Sequence, residues 1–230
     1  MCRDTLVNIL AAAILLPQAP GSGAVQSSTT APCSAPSSTQ RAPRRAVSVI
    51  LVPVTKEAVD EKTTEPLIRL ASPRVPFDAD ADGVLDCVAW PEANAPLAFL
   101  ALDRNRNDRV DNGAELFGAQ TMPEAPDGFT ALARIAPSNG DGAITAADEI
   151  YTRLLLWRDV NRNAISEPDE ITRVSSLIAK LGLGYFDVDR PIGYGSRIEN
   201  RGWAIFSADF TGKADDRVRP IYEITLQYGQ

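Results

Sequence analysis

Four short stretches of this chain carry oxygen-bearing side chains at every second position. They read Asp78-Ala-Asp80-Ala-Asp82-Gly83, Asp103-Arg-Asn105-Arg-Asn107, Asn139-Gly-Asp141-Gly142 and Asp159-Val-Asn161-Arg-Asn163. We name them loop 78, loop 103, loop 139 and loop 159. Oxygens at positions 1, 3 and 5, a backbone carbonyl at position 7 and a later acid hold calcium in EF-hand-type loops. One such stretch is a weak signal, but four between residues 78 and 170 predict Ca²⁺ binding.

Loop 159 has a candidate ligand at every expected position. At positions 1, 3, 5, 7, 9 and 12 these are Asp159, Asn161, Asn163, the carbonyl of Ile165, Glu167 and Glu170. Ala164 occupies position 6, where the turn favours glycine, so strain at positive φ is expected. Ser166 replaces the usual apolar residue at position 8, which argues against a β-bridge to a second loop.

Loop 103 follows the same order, but its closing acid arrives one residue late. Its candidate ligands are Asp103, Asn105, Asn107, the carbonyl of Arg109, Asp111 and Glu115. Asp108 stands at the glycine position, and aspartate is among the few residues that tolerate a left-handed turn.

The other two loops are less complete. In loop 139 the frame starts at Pro137, and the candidate ligands are Asn139, Asp141 and Asp148. With the first donor lost, a turn followed by a helix N-cap is the favoured alternative.

Loop 78 has the candidate ligands Asp78, Asp80, Asp82 and Asp86, but its position 12 is Ala89. Its acids would repel one another without a cation between them. Residues 80–85 also resemble the nucleophile motif of haloacid-dehalogenase-type phosphatases. That chemistry needs a buried parallel strand before the acid, whereas the proline-containing residues 72–76 are expected to be irregular.

Composition narrows the function classes. The net charge of −7 argues against nucleic acid and against anionic membrane surfaces as partners. Histidine is absent, which excludes Ser-His-Asp and Cys-His catalysis and removes the usual zinc ligand.

The elements around the loops predict an α+β fold. Short helices joined by EF-hand-like calcium loops are expected to pack on a small antiparallel sheet that includes a C-terminal hairpin. Helices are predicted around 129–135, over 146–157 and from Pro168 to Leu181, and strands over 46–54, 203–210 and 220–228. The domain is expected to cover residues 46–230.

The N-terminal residues are expected to direct export. Residues 1–24 have the positive, apolar and small-residue regions of a signal peptide, and 25–45 form a spacer rich in Ser, Thr and Pro. After cleavage Cys33 and Cys87 remain; they either pair or stay as two thiols, with Cys87 as a small buried residue.

These stretches together resemble the EF-hand-like calcium-binding domains of secreted bacterial proteins, including those attached to hemolysin-type (RTX) repeat toxins. The resemblance covers residues 77–228. Its pieces include Phe77-Asp-Ala-Asp-Ala-Asp-Gly83 with Trp90, Asp111-Asn-Gly-Ala-Glu-Leu-Phe-Gly118 and Ser166-Glu-Pro-Asp-Glu-Ile171. It implies calcium binding, implies no catalytic activity and names no partner.

We therefore expect an exported, non-catalytic protein, secreted or periplasmic, in which calcium ions complete the fold outside the cell. One alternative is a calcium-dependent adhesion or scaffolding module that binds a protein or glycan through exposed Trp203 and Tyr222. The other is a hydrolase with paired carboxylates such as Asp209 and Glu223. No nucleic-acid partner is expected, and no membrane partner after signal cleavage.

Overall fold

The computed structural model describes Cys33 and residues 45–56, 58, 60–118, 120–136, 139–211 and 217–229. The strands are β1 (Arg45–Pro53), β2 (Leu70–Phe77), β3 (Asp86–Pro91), β4 (Leu97–Leu102), β5 (Ala143–Ile144), β6 (Leu154–Trp157), β7 (Ile171–Arg173), β8 (Ile178–Gly182), β9 (Phe186–Gly193), β10 (Ser196–Phe206) and β11 (Val218–Gly229). The α-helices are α1 (Glu61–Thr64), α2 (Gly128–Ile135), α3 (Val174–Leu177) and α4 (Ala208–Thr211). Short 3₁₀ helices cover Glu65–Leu67, Gly113–Glu115 and Glu149–Arg153.

In the described part of the chain the strands form one eleven-stranded sheet that curls into a half-barrel. Its main path runs β5-β8-β10-β11-β1-β4-β6-β7, with β9 beside β10 and β2 beside β3. β11 is central, because it pairs antiparallel with β10, with β1 and, at its end, with β3.

Each face of the sheet carries its own hydrophobic core. On β1, Val47, Val49 and Leu51 contribute to one core, whereas Ile50 and Val52 contribute to the other. Successive side chains of a strand point to opposite faces, so a strand covered on both sides must be apolar throughout. The buried run of β1 meets that requirement.

An aromatic cluster in the first core lies where the loops leave the sheet. It consists of Phe77, Trp90, Phe99 and Trp157, whose paired ring centroids lie 4.7–5.8 Å apart in tilted arrangements. Tilted rings at these separations are a favourable packing of aromatic side chains. Phe77 directly precedes loop 78 and Trp157 stands two residues before loop 159, so this packing fixes the starts of both loops.

The predicted fold class is wrong, because the protein is mostly antiparallel β structure with a few short helices. The helix predicted over 146–157 is a 3₁₀ helix, Glu149–Arg153, followed by β6. The helix predicted from Pro168 to Leu181 is β7, α3 and β8. All four residues of β6 are buried, and periodicity cannot separate such a short apolar run from a buried helix.

Some narrower predictions are confirmed. The C-terminal hairpin exists as β10 and β11, which pair from Arg197↔Thr225 to Ile205↔Val218, and β1 lies on the other side of β11. The helix predicted around 129–135 is α2, whose N-cap Asp127 accepts a hydrogen bond from the Thr130 N–H at 2.6 Å.

The irregular structure predicted before loop 78 is instead a strand, β2. Within the described residues β2 pairs only with β3, and the pairing shifts register between Ala71 and Val75. Its direction is antiparallel, so it does not supply the buried parallel strand that a phosphatase nucleophile needs.

The predicted signal peptide and the spacer, apart from Cys33 and Arg45, lie outside the described residues. Cys33 forms a disulfide with Cys87, with the two Cα atoms 5.5 Å apart, so the pairing alternative is confirmed. Searched for a membrane-spanning helix, the described residues yield none of sufficient length and apolar character.

Candidate metal centre

All four loops share an unusual backbone at positions 4 and 6, where φ is positive. The residues are Ala81 and Gly83, Arg106 and Asp108, Gly140 and Gly142, and Arg162 and Ala164, with φ between 56° and 86°. A side chain at such a φ costs about 1–3 kcal/mol and persists only where the surroundings impose it. The strain expected at Ala164 is therefore present, and the other loops repeat the same backbone.

Loops 78, 103 and 159 also share one hydrogen-bond pattern around their first acid. The carboxylates of Asp78, Asp103 and Asp159 each accept from the backbone N–H groups of positions 5 and 6, at 2.9–3.1 Å. The side-chain oxygen of position 5 accepts from the N–H of position 7, at 2.7–2.9 Å. These bonds wrap each loop around its position 1 and position 5 oxygens.

Loop 159 brings its predicted ligands together. Asn161 and Asn163 each donate a side-chain N–H to the carboxylate of Glu167, at 3.3 and 2.7 Å. Glu170 closes the loop by accepting from the Val160 N–H at 2.7 Å. Ile165, whose carbonyl is the predicted ligand, donates its backbone N–H to the Asn163 side chain. Its own side chain is exposed.

Two tryptophans that sequence analysis did not connect to loop 159 orient its acids. The Trp90 indole donates to Asp159 Oδ2 at 2.7 Å, and the Trp157 indole donates to Glu170 Oε2 at 3.4 Å. Partners behind a ligand fix its direction and tune its affinity for a metal. Trp157 lies close to Asp159 in sequence, but nothing in the spacing pointed to Trp90.

Burial shifts the pKa values of the closing acids. Desolvation raises the pKa of Glu170, and hydrogen bonds from Asn163 and other groups lower the pKa of Glu167. Desolvation likewise raises the pKa of Glu115, which is only 4% exposed. A raised pKa means that the ionised carboxylate is short of stabilising partners, which a bound cation would supply.

Loop 103 repeats this arrangement with its late acid. Asn105 and Asn107 donate side-chain N–H groups to Asp111 Oδ2, both at 2.8 Å. Glu115 accepts from the Arg104 and Asp111 N–H groups, each at 2.9 Å, so it takes the closing place one residue late. Arg109, the predicted carbonyl ligand, is tied to Asn107 through its N–H.

Loop 78 gathers three carboxylates, those of Asp78, Asp80 and Asp82, with one oxygen from each within 4.8 Å of the others. Asp80 Oδ1 and Asp86 Oδ2 are buried and have no hydrogen-bond partner among the described residues. Desolvation, and then the charge of Asp80, raise the pKa of Asp86. Orphaned buried oxygens in an all-oxygen set fit a hard cation such as calcium.

Loop 139 is only half formed in the described residues. Asn139 and Asp141 accept from N–H groups two residues on, both at 3.0 Å, but Pro137 at position 1 lies outside the described part. Asp148 accepts a hydrogen bond from the Thr145 N–H at 2.8 Å. Asp148, expected in the first turn of an α-helix, is instead the N-cap residue of a 3₁₀ helix and makes no side-chain capping bond there.

Loop 103 contacts both loop 159 and loop 78. The Ser166 hydroxyl donates to the Val110 carbonyl and accepts from the Val110 N–H, both at 3.0 Å, which joins position 8 of loop 159 to position 8 of loop 103. The Gly113 N–H donates to the Asp78 carbonyl at 2.9 Å, which joins loop 103 to loop 78. A Cβ on Gly113 would lie 2.0 Å from the Ala79 carbonyl oxygen, so this approach requires glycine. The sequence argued against a β-bridge between loop 159 and a second loop, and the described residues show none between loops 159 and 103. The Ser166 hydroxyl joins the two loops instead.

The paired acids considered for a hydrolase lie in different settings. Glu223 is fully buried and accepts hydrogen bonds from Ser48, Asn200 and the Gly128 N–H, so it ties β1, β10 and α2 to β11. Desolvation raises its pKa. Asp209 is exposed on α4.

The aromatic surface predicted on the terminal hairpin is partly wrong. Tyr222 is fully buried in the first core. Trp203 is half-buried and lines a groove of about 270 Å³ together with the exposed side chains of Phe186 and Val218.

Comparison with known proteins places this arrangement in a family. The SPM domain family matches residues 64–218, which include all four loops and the strands that carry them. The chain belongs to the SPM domain family. The iron-regulated protein FrpA of Neisseria meningitidis serogroup C is 36% identical over 145 residues, which are 61% of this chain and 13% of that protein. The chain thus spans only a small part of this relative's length, and calcium binding stays a prediction.

Proposed function

We propose that this SPM domain is an exported, non-catalytic calcium-binding domain, in which ions in loops 78, 103 and 159 complete the fold. The observation that carries the proposal is the shared bond pattern around Asp78, Asp103 and Asp159. Three separate segments adopt the same strained backbone, and each ends with oxygen side chains drawn together. A common ligand would explain that repetition.

The charges of the loops support a cation in each. Loop 78 holds four aspartates, and two of their oxygens are buried without a partner among the described residues. The buried closing acids of loops 103 and 159 have raised pKa values, caused first by desolvation. A divalent cation would offset both the desolvation and the mutual repulsion of these carboxylates.

The chemistry of the donors favours calcium over transition metals. The loops offer carboxylate, amide and carbonyl oxygens, whereas zinc and copper favour imidazole and thiolate ligands. The chain has no histidine, and Cys33 and Cys87 are consumed by their disulfide. Magnesium should compete poorly, because it demands a tighter octahedral shell than a flexible loop provides.

Export is part of the proposal. Disulfides form and persist in oxidising compartments, so the Cys33–Cys87 bond supports the same location as the apolar N-terminal sequence. Calcium sites of extracellular modules bind with Kd on the order of 10⁻⁴ to 10⁻³ M, and cytosolic calcium would leave such sites empty. The fold would then tighten on arrival outside the cell.

A calcium-dependent adhesion or scaffolding role is the second candidate. The groove beside Trp203 exposes Phe186 by 68% and Val218 by 59%, which is apolar surface suited to a protein or glycan partner. Attachment of this chain to an immobilised partner in calcium, lost in the Phe186→Ser variant without loss of stability, would favour this role.

The test of calcium binding is a calorimetric titration of the purified chain, together with thermal unfolding in chelator and in calcium. Binding to the folded state alone stabilises it by about 2.7 kcal/mol per site when calcium is at 100 times Kd. We expect a clear rise in the melting temperature with calcium, and zinc should bind more weakly. An unchanged melting temperature, or zinc binding tighter than calcium, would refute the proposal.

A further inference from the structure

Loop 78 ends at a corner of the sheet where both ends of the domain meet. Asp86 begins β3, and the next residue, Cys87, is bonded to Cys33. Cys87 also faces Gly229, near the end of the described chain. On the other side of β11, Tyr228 faces Arg45, the first residue of β1.

The same two terminal strands hold one acid of the loop. Arg45 donates to Asp80 Oδ2 at 3.0 Å, and the Tyr228 hydroxyl donates to the same oxygen at 3.4 Å. The other oxygen, Asp80 Oδ1, is buried and lacks a partner among the described residues. These contacts fix the direction of Asp80 and leave Oδ1 available to a ligand.

Asp86 supplies the second orphaned oxygen. It is 5% exposed, and its Oδ2 has no partner within the described part of the chain. Loops 103 and 159 close with Glu115 and Glu170, but position 12 of loop 78 is Ala89. The shell of loop 78 therefore depends on Asp86, at position 9, staying in place.

Asp86 pairs with Phe77 of β2, and on the β11 side β3 is held by a short ladder and by the Arg74 side chain, which donates to the Cys87 and Gln227 carbonyls at 3.0 and 3.2 Å. The ladder between β3 and β11 consists of two residue pairs, Val88↔Tyr228 and Cys87↔Gly229. A ladder of only two residue pairs opens more easily than a long one, which would release the residues next to it. The disulfide at Cys87 is a covalent tie at that point.

We propose that the Cys33–Cys87 disulfide sets the calcium affinity of loop 78, so that this site binds tightly only in the oxidised chain. The inference rests on the proposed calcium function. The underlying step is ordinary thiol–disulfide exchange: a dithiol reductant gives two electrons and two protons, the S–S bond breaks into two thiols, and the reductant becomes its own disulfide. Oxidation and calcium, two conditions met outside the cell, then act at the same corner.

The test compares four forms of the full chain by calcium calorimetry: wild type, Cys33→Ser, Asp80→Asn and the double variant. Asp80→Asn removes a ligand of loop 78, and Cys33→Ser removes only the tie. We expect Cys33→Ser to weaken one site by roughly 3- to 10-fold, the range for ordering one further side chain on binding. When Cys33→Ser is added to Asp80→Asn, the calcium affinity of the remaining sites should not change. Wild type treated with a dithiol should match Cys33→Ser.

The possible failures are distinguishable. Unchanged affinity in Cys33→Ser and in the reduced chain would overturn the coupling and leave the calcium proposal intact. Equal weakening of every site would overturn it as well, because it would indicate general loosening of the fold. Absence of calcium binding in oxidised wild type would refute the calcium proposal itself.

Discussion

The hydrogen bond from Trp90 to loop 159 gives the sharpest test of how the core supports the candidate metal centre. The indole is 1% exposed and donates to Asp159 Oδ2 at 2.7 Å. Trp90→Phe keeps an aromatic ring in the cluster but removes this donor. Asp159 would retain its bonds from the Asn163 and Ala164 N–H groups.

Trp157→Phe is the matched control, because it makes the same ring change in the same cluster. Trp157 is 0% exposed, and its bond to Glu170 is long at 3.4 Å, which makes it weak. The difference between the stability losses of the two variants excludes the cost that they share, which is the replacement of a buried indole by a smaller ring. A hydrogen bond to a charged group contributes about 1.5–3 kcal/mol. Trp90→Phe should therefore destabilise the chain by about that much more than Trp157→Phe.

The effect on metal binding should be about as large in free energy as the effect on the fold. Removing a partner behind a ligand typically lowers metal affinity about 10- to 100-fold. We expect that loss at loop 159 in Trp90→Phe, measured by calorimetry, with other loops near wild type. Thermal unfolding gives the stability difference, at about 2–4 °C per kcal/mol for a chain of this size. Equal losses in Trp90→Phe and Trp157→Phe would refute the assignment of a supporting role to this indole bond.

Three further predictions follow from the loops. Asp159→Ala or Glu170→Gln should each remove one bound ion in a calcium titration, whereas Asp148→Asn should change little; unchanged stoichiometry in all three would contradict the ranking of loops. Gly113→Ala should lower the melting temperature strongly, because its Cβ would meet the Ala79 carbonyl at 2.0 Å; a wild-type melting curve would show that loops 78 and 103 are not packed this closely. The gain in melting temperature from calcium should shrink from neutral pH to about pH 5. Burial raises the pKa values of the closing acids. Protonation of these acids at lower pH therefore stabilises the calcium-free fold, and it also removes ligands of the ion. A calcium-induced gain in melting temperature that does not change with pH would count against carboxylate ligation.

Sequence spacing located the loops because their geometry is local. Each first acid bonds to N–H groups four and five residues ahead, so the pattern of residue types over one loop is enough to predict its shape. Glu115, the late acid of loop 103, likewise bonds within its own loop. Aspartate at position 108 and alanine at position 164 were recognised as departures from glycine, and both adopt positive φ.

The elements between the loops could not be assigned in the same way. The run Leu154–Trp157 is a strand because β4 pairs with one edge and β7 with the other, and both partners are distant in sequence. An apolar run of four residues fits a buried helix equally well until its neighbours are known. The helix predicted there was wrong because tertiary pairing overrode the local pattern.

The sequence by itself determined where the oxygen-bearing loops lie, the absence of histidine ligands and the pairing of β10 with β11. Only the tertiary structure decided what stands behind those oxygens. Trp90 reaches Asp159 across 69 residues, and Ser166 reaches Val110 across 56. Hydrogen bonds within a loop depend on neighbours along the chain, whereas burial and support depend on distant strands that the folded sheet brings into contact.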